Sequence, residues 1–82
     1  MDDLSRLGLK LISGVQTHQH IKDSATVYLN GFRVAWFQHM SRVSDGVTIN
    51  TVSGDIVYRP ELTTEQCAVL RRWLSIQLLA VL

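Results

Sequence analysis

Three histidines and one cysteine are the side chains of this sequence suited to binding a transition metal: His18, His20, His39 and Cys67. In a β-strand, His18 and His20 would point to the same face, because side chains alternate along a strand. Neither a Cys-x-x-Cys pair nor a His-Glu-x-x-His helix accompanies them, and these are characteristic spacings of zinc ligands. No base partner for Cys67 is identifiable in the sequence. We therefore predict neither a metal site nor a bound cofactor.

The carboxylates available for acid–base catalysis fall mostly at predicted turns or helix starts, where turn formation and capping account for them. The chain contains no glycine-rich phosphate loop and no nucleophile-elbow motif. A domain of this size also leaves little room for a substrate pocket of roughly 300 Å³ or more. We predict that the protein is not an enzyme. The acidic residues concerned are Asp2, Asp3, Asp23, Asp45, Asp55, Glu61 and Glu65.

Surface arginines support an alternative function, nucleic-acid binding. The predicted order of helix, strands and helix is also that of double-stranded-RNA-binding domains, although this is an analogy of topology without a sequence resemblance. Those domains place lysines at the start of the last helix, where this sequence has Thr63-Thr64-Glu65-Gln66. A formal net charge of +1 also argues against binding through bulk charge. The alternative therefore requires five arginines to converge locally: Arg33, Arg42, Arg59, Arg71 and Arg72.

A β-hairpin predicted over residues 25–37 organises the rest of the chain. Two runs rich in β-branched and aromatic residues flank Asn30-Gly31, a pair that favours a two-residue type I′ turn. This turn would set three pairs on the core face: Leu29 with Phe32, Val27 with Val34, and Ala25 with Trp36. The outer face would then carry Tyr28 opposite Arg33, Thr26 opposite Ala35, and Ser24 opposite Phe37.

The outer face of this hairpin is the predicted partner-binding surface. It presents Tyr28, Arg33 and Phe37, with His39 further along the same strand. Tyrosine, arginine and large aromatic residues are the types that contribute most to the hot spots of protein interfaces. The sequence therefore favours protein binding over catalysis.

Further turn signals predict an antiparallel meander of four strands. Asp45-Gly46 and Ser53-Gly54 mark two more turns, and a bulge near Gln38–His39 would correct the alternation of the second strand. The first helix is predicted from Asp2 or Asp3 to about Ser13, with Gly14 as its C′ residue, or as far as about His20, because Leu4, Leu7, Leu11 and Val15 recur at helical spacing. Val15–Ser24 has no clear pattern, and we favour a loop. The predicted strands are residues 25–29, 32–42, 47–52 and 55–59.

A second helix is predicted from Thr64 to near the end of the sequence. Thr63 and Gln66 form a capping box, and Leu62 with Cys67 fits a hydrophobic staple. Its apolar stripe consists of Cys67, Leu70, Trp73, Leu74 and Val81. The last turn is apolar nearly all round, which predicts a homodimer contact through Leu78, Leu79 and Leu82.

The length of 82 residues predicts one domain over residues 1–82. The order of the predicted elements makes it an α+β domain, α-β-β-β-β-α, with both helices on one face of the sheet. Hydrophobic residues make up 46% of it, and a single cysteine excludes an intrachain disulfide. The start lacks the features of a signal peptide, and no apolar run approaches the ~18–20 residues of a membrane span, so we expect a cytoplasmic protein. We predict a small non-enzymatic module that regulates or inhibits a larger protein or complex by occupying its surface.

Overall fold

A computed structural model describes residues 3–14 and 21–80 of the chain. Four antiparallel strands form one open sheet in the order β1-β2-β3-β4, with one helix before and one after it, which confirms the predicted α+β class. The elements are α1 (Asp3–Arg6), β1 (Leu9–Ser13), β2 (Ile21–Leu29), β3 (Phe32–Ser44), β4 (Val47–Ile56) and α2 (Thr64–Ala80).

Two tight turns connect the last three strands as predicted. Asn30 and Gly31 have φ values of 51° and 83°, and Asp45 and Gly46 have φ values of 52° and 76°. A type I′ turn requires positive φ at both central residues, and Asn, Asp and Gly adopt that conformation at low cost. These turns fix the registers of the β2–β3 and β3–β4 pairs.

The first helix is much shorter than predicted, because Gly8 ends it. Gly8 has a φ of 76°, and its N–H donates to the Ser5 carbonyl at 3.1 Å, which closes the last turn. The chain then enters β1, and Leu9–Ser13 pairs with β2. Gly14 is therefore not a helix C′ residue; its N–H donates to the Ser24 carbonyl at 2.7 Å and continues the β1–β2 ladder. The leucine spacing alone did not distinguish a helix from a short apolar strand.

Two other segments also differ from the prediction. The segment from Ile21 to Ser24, predicted as loop, opens β2, while Val15–His20 lies outside the described residues. Ser53-Gly54 is not a turn, because β4 runs unbroken from Val47 to Ile56. Residues 57–59 leave the sheet before the second helix. The count of four strands is correct, but the first comes from the predicted helix and the last two predicted runs form one strand.

A β-bulge at Val34 reverses the predicted faces of β3. Val27 pairs with Ala35 and Tyr28 pairs with Arg33, so Val34 is the extra residue between them. From Ala35 to Phe37 each side chain therefore lies on the face opposite to the one predicted. The bulge predicted in β3 near Gln38–His39 is wrong: the second irregularity lies in β2, between Ile21 and Asp23, opposite His39 and Met40.

Both helices pack on the same face of the sheet and share its core. α1 packs on β1, whereas α2 packs on β3 and β4. The side-chain amide of Gln66 donates to the Leu7 carbonyl at 3.0 Å, which ties α2 to the end of α1. The core cluster consists of Leu4, Leu9, Val27, Leu29, Val34, Ala35, Ile56, Val69 and Leu70.

The start of α2 has the predicted capping box. The Thr63 N–H donates to Gln66 Oε1 at 2.9 Å, and the Gln66 N–H donates to Thr63 Oγ1 at 3.1 Å. Leu70 is fully buried, and Trp73 and Leu74 pack against the core as predicted. Val81, the last residue of the predicted stripe, lies outside the described residues.

Candidate protein-binding face

The face of the sheet opposite the two helices, here called the open face, carries the candidate site. Side chains alternate along a strand, so the residues between the buried core positions point to this face. Tyr28 lies between buried Val27 and Leu29, and its register partner is Arg33. By the same alternation the centre of the open face consists of Lys10, Ile12, Ser24, Thr26, Tyr28, Arg33, Trp36, Gln38 and Asp55.

Trp36 is the large aromatic residue at the centre of the open face. Its register partners are Thr26 on β2 and Asp55 on β4, and its side chain is half-buried. The bulge at Val34 places it there, since without the extra residue Trp36 would point into the core. The fold therefore holds an indole ring on a sheet surface that neither helix covers.

Phe37 was predicted on the outer face, and that prediction is wrong. It is only 2% exposed and pairs with Ala25 and Gly54 on the helix-covered side. His39 follows two residues later on the same side and is half-buried, opposite Val52. Of the four predicted partner-binding residues, the fold brings together Tyr28 and Arg33 on the open face.

Sequence reasoning missed Trp36 because β3 begins with the run Phe-Arg-Val-Ala-Trp-Phe. Large apolar residues occupy both odd and even positions of that run, so the alternation of side chains does not show whether Trp36 or Phe37 points into the core. The available signal was the adjacent pair Val34-Ala35. Two small apolar neighbours can both turn inward at a bulge, and both are fully buried.

Two open depressions lie side by side on this face, each with a volume of about 430 Å³. The first is lined by Ser24, Thr26, Arg33, Trp36, Phe37 and Gln38, so it combines an indole with polar groups. The second is lined by Gly8, Lys10, Ile12, Tyr28, Asn30 and Gly31. Because Tyr28 and Arg33 are register partners, the two depressions adjoin across the β2–β3 hairpin.

Arg59 has a local structural role at the sheet margin. Its guanidinium carbon lies 4.3 Å from the centroid of the Phe32 ring, within cation–π range. Its Nε is 3.9 Å from Glu61 Oε2, yet this buried Nε donates no hydrogen bond. Phe32, predicted in the core, is 54% exposed and is stacked instead against this arginine. The contact holds the segment after β4 against the β2–β3 turn.

The five arginines of the alternative hypothesis do not converge. Arg33 and Arg42 lie on β3 nine residues apart, which corresponds to roughly 25–30 Å along a strand. Arg71 and Arg72 are exposed on α2, which lies on the other side of the sheet. Arg59 is engaged with Phe32. The arginines therefore divide between two sides of the molecule.

Neither a metal site nor a membrane-spanning helix is found in the part of the chain that the structure describes. Within residues 3–14 and 21–80 no group of three or more His, Cys, Asp or Glu side chains is arranged to hold a metal ion. His18 and His20 lie outside that range, and Cys67 is a free, half-buried thiol on α2. Across the described part of the chain, no helix combines the length and apolar character needed to cross a membrane.

The end of α2 exposes apolar side chains. Leu79 is 69% exposed and Ile76 is 56% exposed, whereas Leu78 is half-buried. Leu82, the third predicted self-association residue, lies outside the described residues.

Comparison of the chain with protein-family models, with curated proteins and with solved structures yields no match.

Proposed function

We propose that this protein is a non-enzymatic binding module that regulates or inhibits a larger protein or complex by covering part of its surface with the open face. The observation that carries the proposal is the cluster of Trp36, Tyr28 and Arg33 on a sheet face that neither α1 nor α2 covers. Trp, Tyr and Arg are the residue types most enriched in interface hot spots. A half-buried indole that the bulge turns away from the core is available as the central anchor.

The shape of the open face supports binding to a protein. Its two depressions are broad and open to solvent, so they suit projecting side chains of a partner better than a reaction that must exclude water. Lys10 and Gln38 line these depressions and Asp55 is the register partner of Trp36, so polar groups are available for the rim of an interface. We further propose a reducing, cytoplasmic location, which the free thiol of Cys67 supports.

A comparative capture experiment tests this proposal. Tagged wild type, the double variant Trp36→Ala/Arg33→Ala and the helix-face control Arg71→Ala are exposed to lysate of the native host, and bound proteins are quantified by mass spectrometry. We expect at least one protein to be retained by wild type and by Arg71→Ala, and lost by the double variant. Circular dichroism and thermal melting are used to check that both variants fold. Equal capture by all three folded proteins contradicts the assignment of the open face.

Nucleic-acid binding through the same face is a second candidate. Lys10, Arg33 and Arg42 accompany Trp36 and Tyr28 there, and exposed sheet aromatics flanked by cations can stack on unpaired bases. Electrophoretic mobility with single-stranded and duplex RNA and DNA over a salt series tests it. Salt-dependent binding that Trp36→Ala abolishes would favour this function over protein binding.

A further inference from the structure

The outer edge of β4 is an unprotected strand edge. Within the described residues β4 is the last strand of the sheet, and its ten residues pair with β3 without any register shift. From Val47 to Gly54 it contains no charged residue and no proline. Natural proteins protect sheet edges with short strands, lysines, prolines or bulges, because open backbone groups pair readily with another strand. β4 has none of these devices along those eight residues.

The backbone groups that point outward can be assigned from the turn. In the type I′ turn the Val47 N–H faces the Ser44 carbonyl. The backbone N–H and C=O groups of every second residue after Val47 then face β3, and those of the residues between them point outward. The Val57 N–H donates to the Val34 carbonyl at 2.9 Å, so it faces β3 as this alternation requires. The N–H of Ile56 points outward and donates to Asp55 Oδ1 at 2.7 Å. Four outward N–H groups remain along the uncharged part of the edge: Thr48, Asn50, Val52 and Gly54.

Among the described residues, the β3–β4 hairpin also extends beyond the other strands. The last described pair between β2 and β3 joins Ile21 to Met40, and residues 41–50 are here called the arm, a ribbon in which β3 pairs with β4. The arm contributes to a long dimension of 46 Å against 25 and 22 Å. Val43 is 70% exposed and Val47 is 61% exposed on it. A two-stranded ribbon is marginally stable in water and gains stability from a third strand.

We propose that β4 pairs antiparallel with β4 of a second copy of this chain across a two-fold axis, which joins the two sheets into one of eight strands. With the axis near Thr51, the tip of each arm lies along the body of the other sheet, so each copy adds a strand beside the arm of the other. The absence of charge from Val47 to Gly54 means that self-pairing brings no like charges opposite each other. A second copy is therefore the occupant that fits this edge.

This dimer would place both open faces on the same side of the eight-stranded sheet, because a two-fold axis that pairs antiparallel strands stands perpendicular to the sheet. The inference does not depend on the proposed function, since it rests on the strand edge and the arm. It differs from the predicted helix contact, because the pairing atoms belong to the backbone of β4.

Asn50→Pro tests the pairing with little disturbance of the fold. The Asn50 N–H points outward, so proline removes an edge donor without removing a β3–β4 hydrogen bond. Asn50→Ala is the matched control, since it changes the same side chain and keeps the N–H. We expect light scattering to give the mass of two 9.3 kDa chains for wild type and for Asn50→Ala. Asn50→Pro should halve that mass while circular dichroism shows a retained sheet.

Amide hydrogen exchange in wild type decides the question if Asn50→Pro does not fold. In the dimer the outward N–H groups of Thr48, Asn50 and Val52 are protected, and dilution to monomer should increase their exchange while Thr51 remains protected. The Leu79→Arg variant distinguishes this dimer from one formed through α2. We expect it to have the same mass by light scattering as the wild type. The proposal is overturned if the wild type is monomeric at millimolar concentration. It is also overturned if the Leu79→Arg variant is monomeric while a folded Asn50→Pro variant remains dimeric.

Discussion

Gly54 lies where α2 approaches the sheet closely. A Cβ atom added there would lie 2.6 Å from Leu74 Cδ1 and 2.8 Å from the Trp36 carbonyl oxygen. The leucine methyl can rotate away, but the carbonyl belongs to the central strand β3 and cannot move without disturbing its ladder. Glycine inside a strand indicates such a close approach. Its role is therefore in packing, and the turn predicted for Ser53-Gly54 does not form.

Gly54→Ala should lower the free energy of unfolding by about 1–3 kcal/mol, the range for overpacking a core. Ser53→Ala is the matched control, because it adds no atom and lies on the open face. Urea denaturation of both variants at one protein concentration measures the difference. A Gly54→Ala protein as stable as wild type would show that α2 does not rest directly on β4 at this point.

Among the elements, the second helix begins where residues close together in the sequence predict it. Its start depends on the reciprocal hydrogen bonds between Thr63 and Gln66, which the sequence pattern predicts without reference to the rest of the fold. The two turns at Asn30-Gly31 and Asp45-Gly46 are equally local, because their conformation needs only residues that tolerate positive φ. These three features were predictable for that reason.

Thr63→Ala should destabilise the protein by about 1 kcal/mol, since it leaves the Gln66 N–H without its side-chain acceptor. Thr64→Ala is a suitable control, because Thr64 is exposed in the first turn of α2 and alanine favours a helix. Thermal unfolding followed by circular dichroism compares the two. Equal melting temperatures would contradict the importance of the capping box.

The elements that the sequence did not predict depend on distant contacts. Leu9–Ser13 becomes a strand because β2 offers it an edge and Gly8 ends the helix, and neither condition is visible in the leucine spacing. The bulge at Val34 turns Phe37, and not Trp36, to the helix-covered side, and the sequence of β3 does not show where the extra residue lies. A two-residue turn predicts the register only as far as the first irregularity. The candidate site was therefore half predictable, with Tyr28 and Arg33 placed before the bulge and Trp36 after it.

At the scale of the whole molecule, the fold has two different sides. Both helices lie on one side over a core that includes Val34 and Phe37, and the open face with Trp36 lies on the other. The proposed pairing of β4 edges would extend both sides and place two open faces in one plane. A partner with two matching surfaces would then be bound with an increased effective concentration.

The bulge directs Phe37 into the core and Trp36 to the open face, and a pair of alanine substitutions tests this assignment. Phe37→Ala should cost about 3–5 kcal/mol of unfolding free energy, as expected for a buried aromatic residue. Trp36→Ala should cost no more than about 2 kcal/mol, because its half-buried ring leaves no enclosed cavity. Urea denaturation at a fixed protein concentration gives both values. A larger loss for Trp36→Ala than for Phe37→Ala would contradict the observed register and the site built on it.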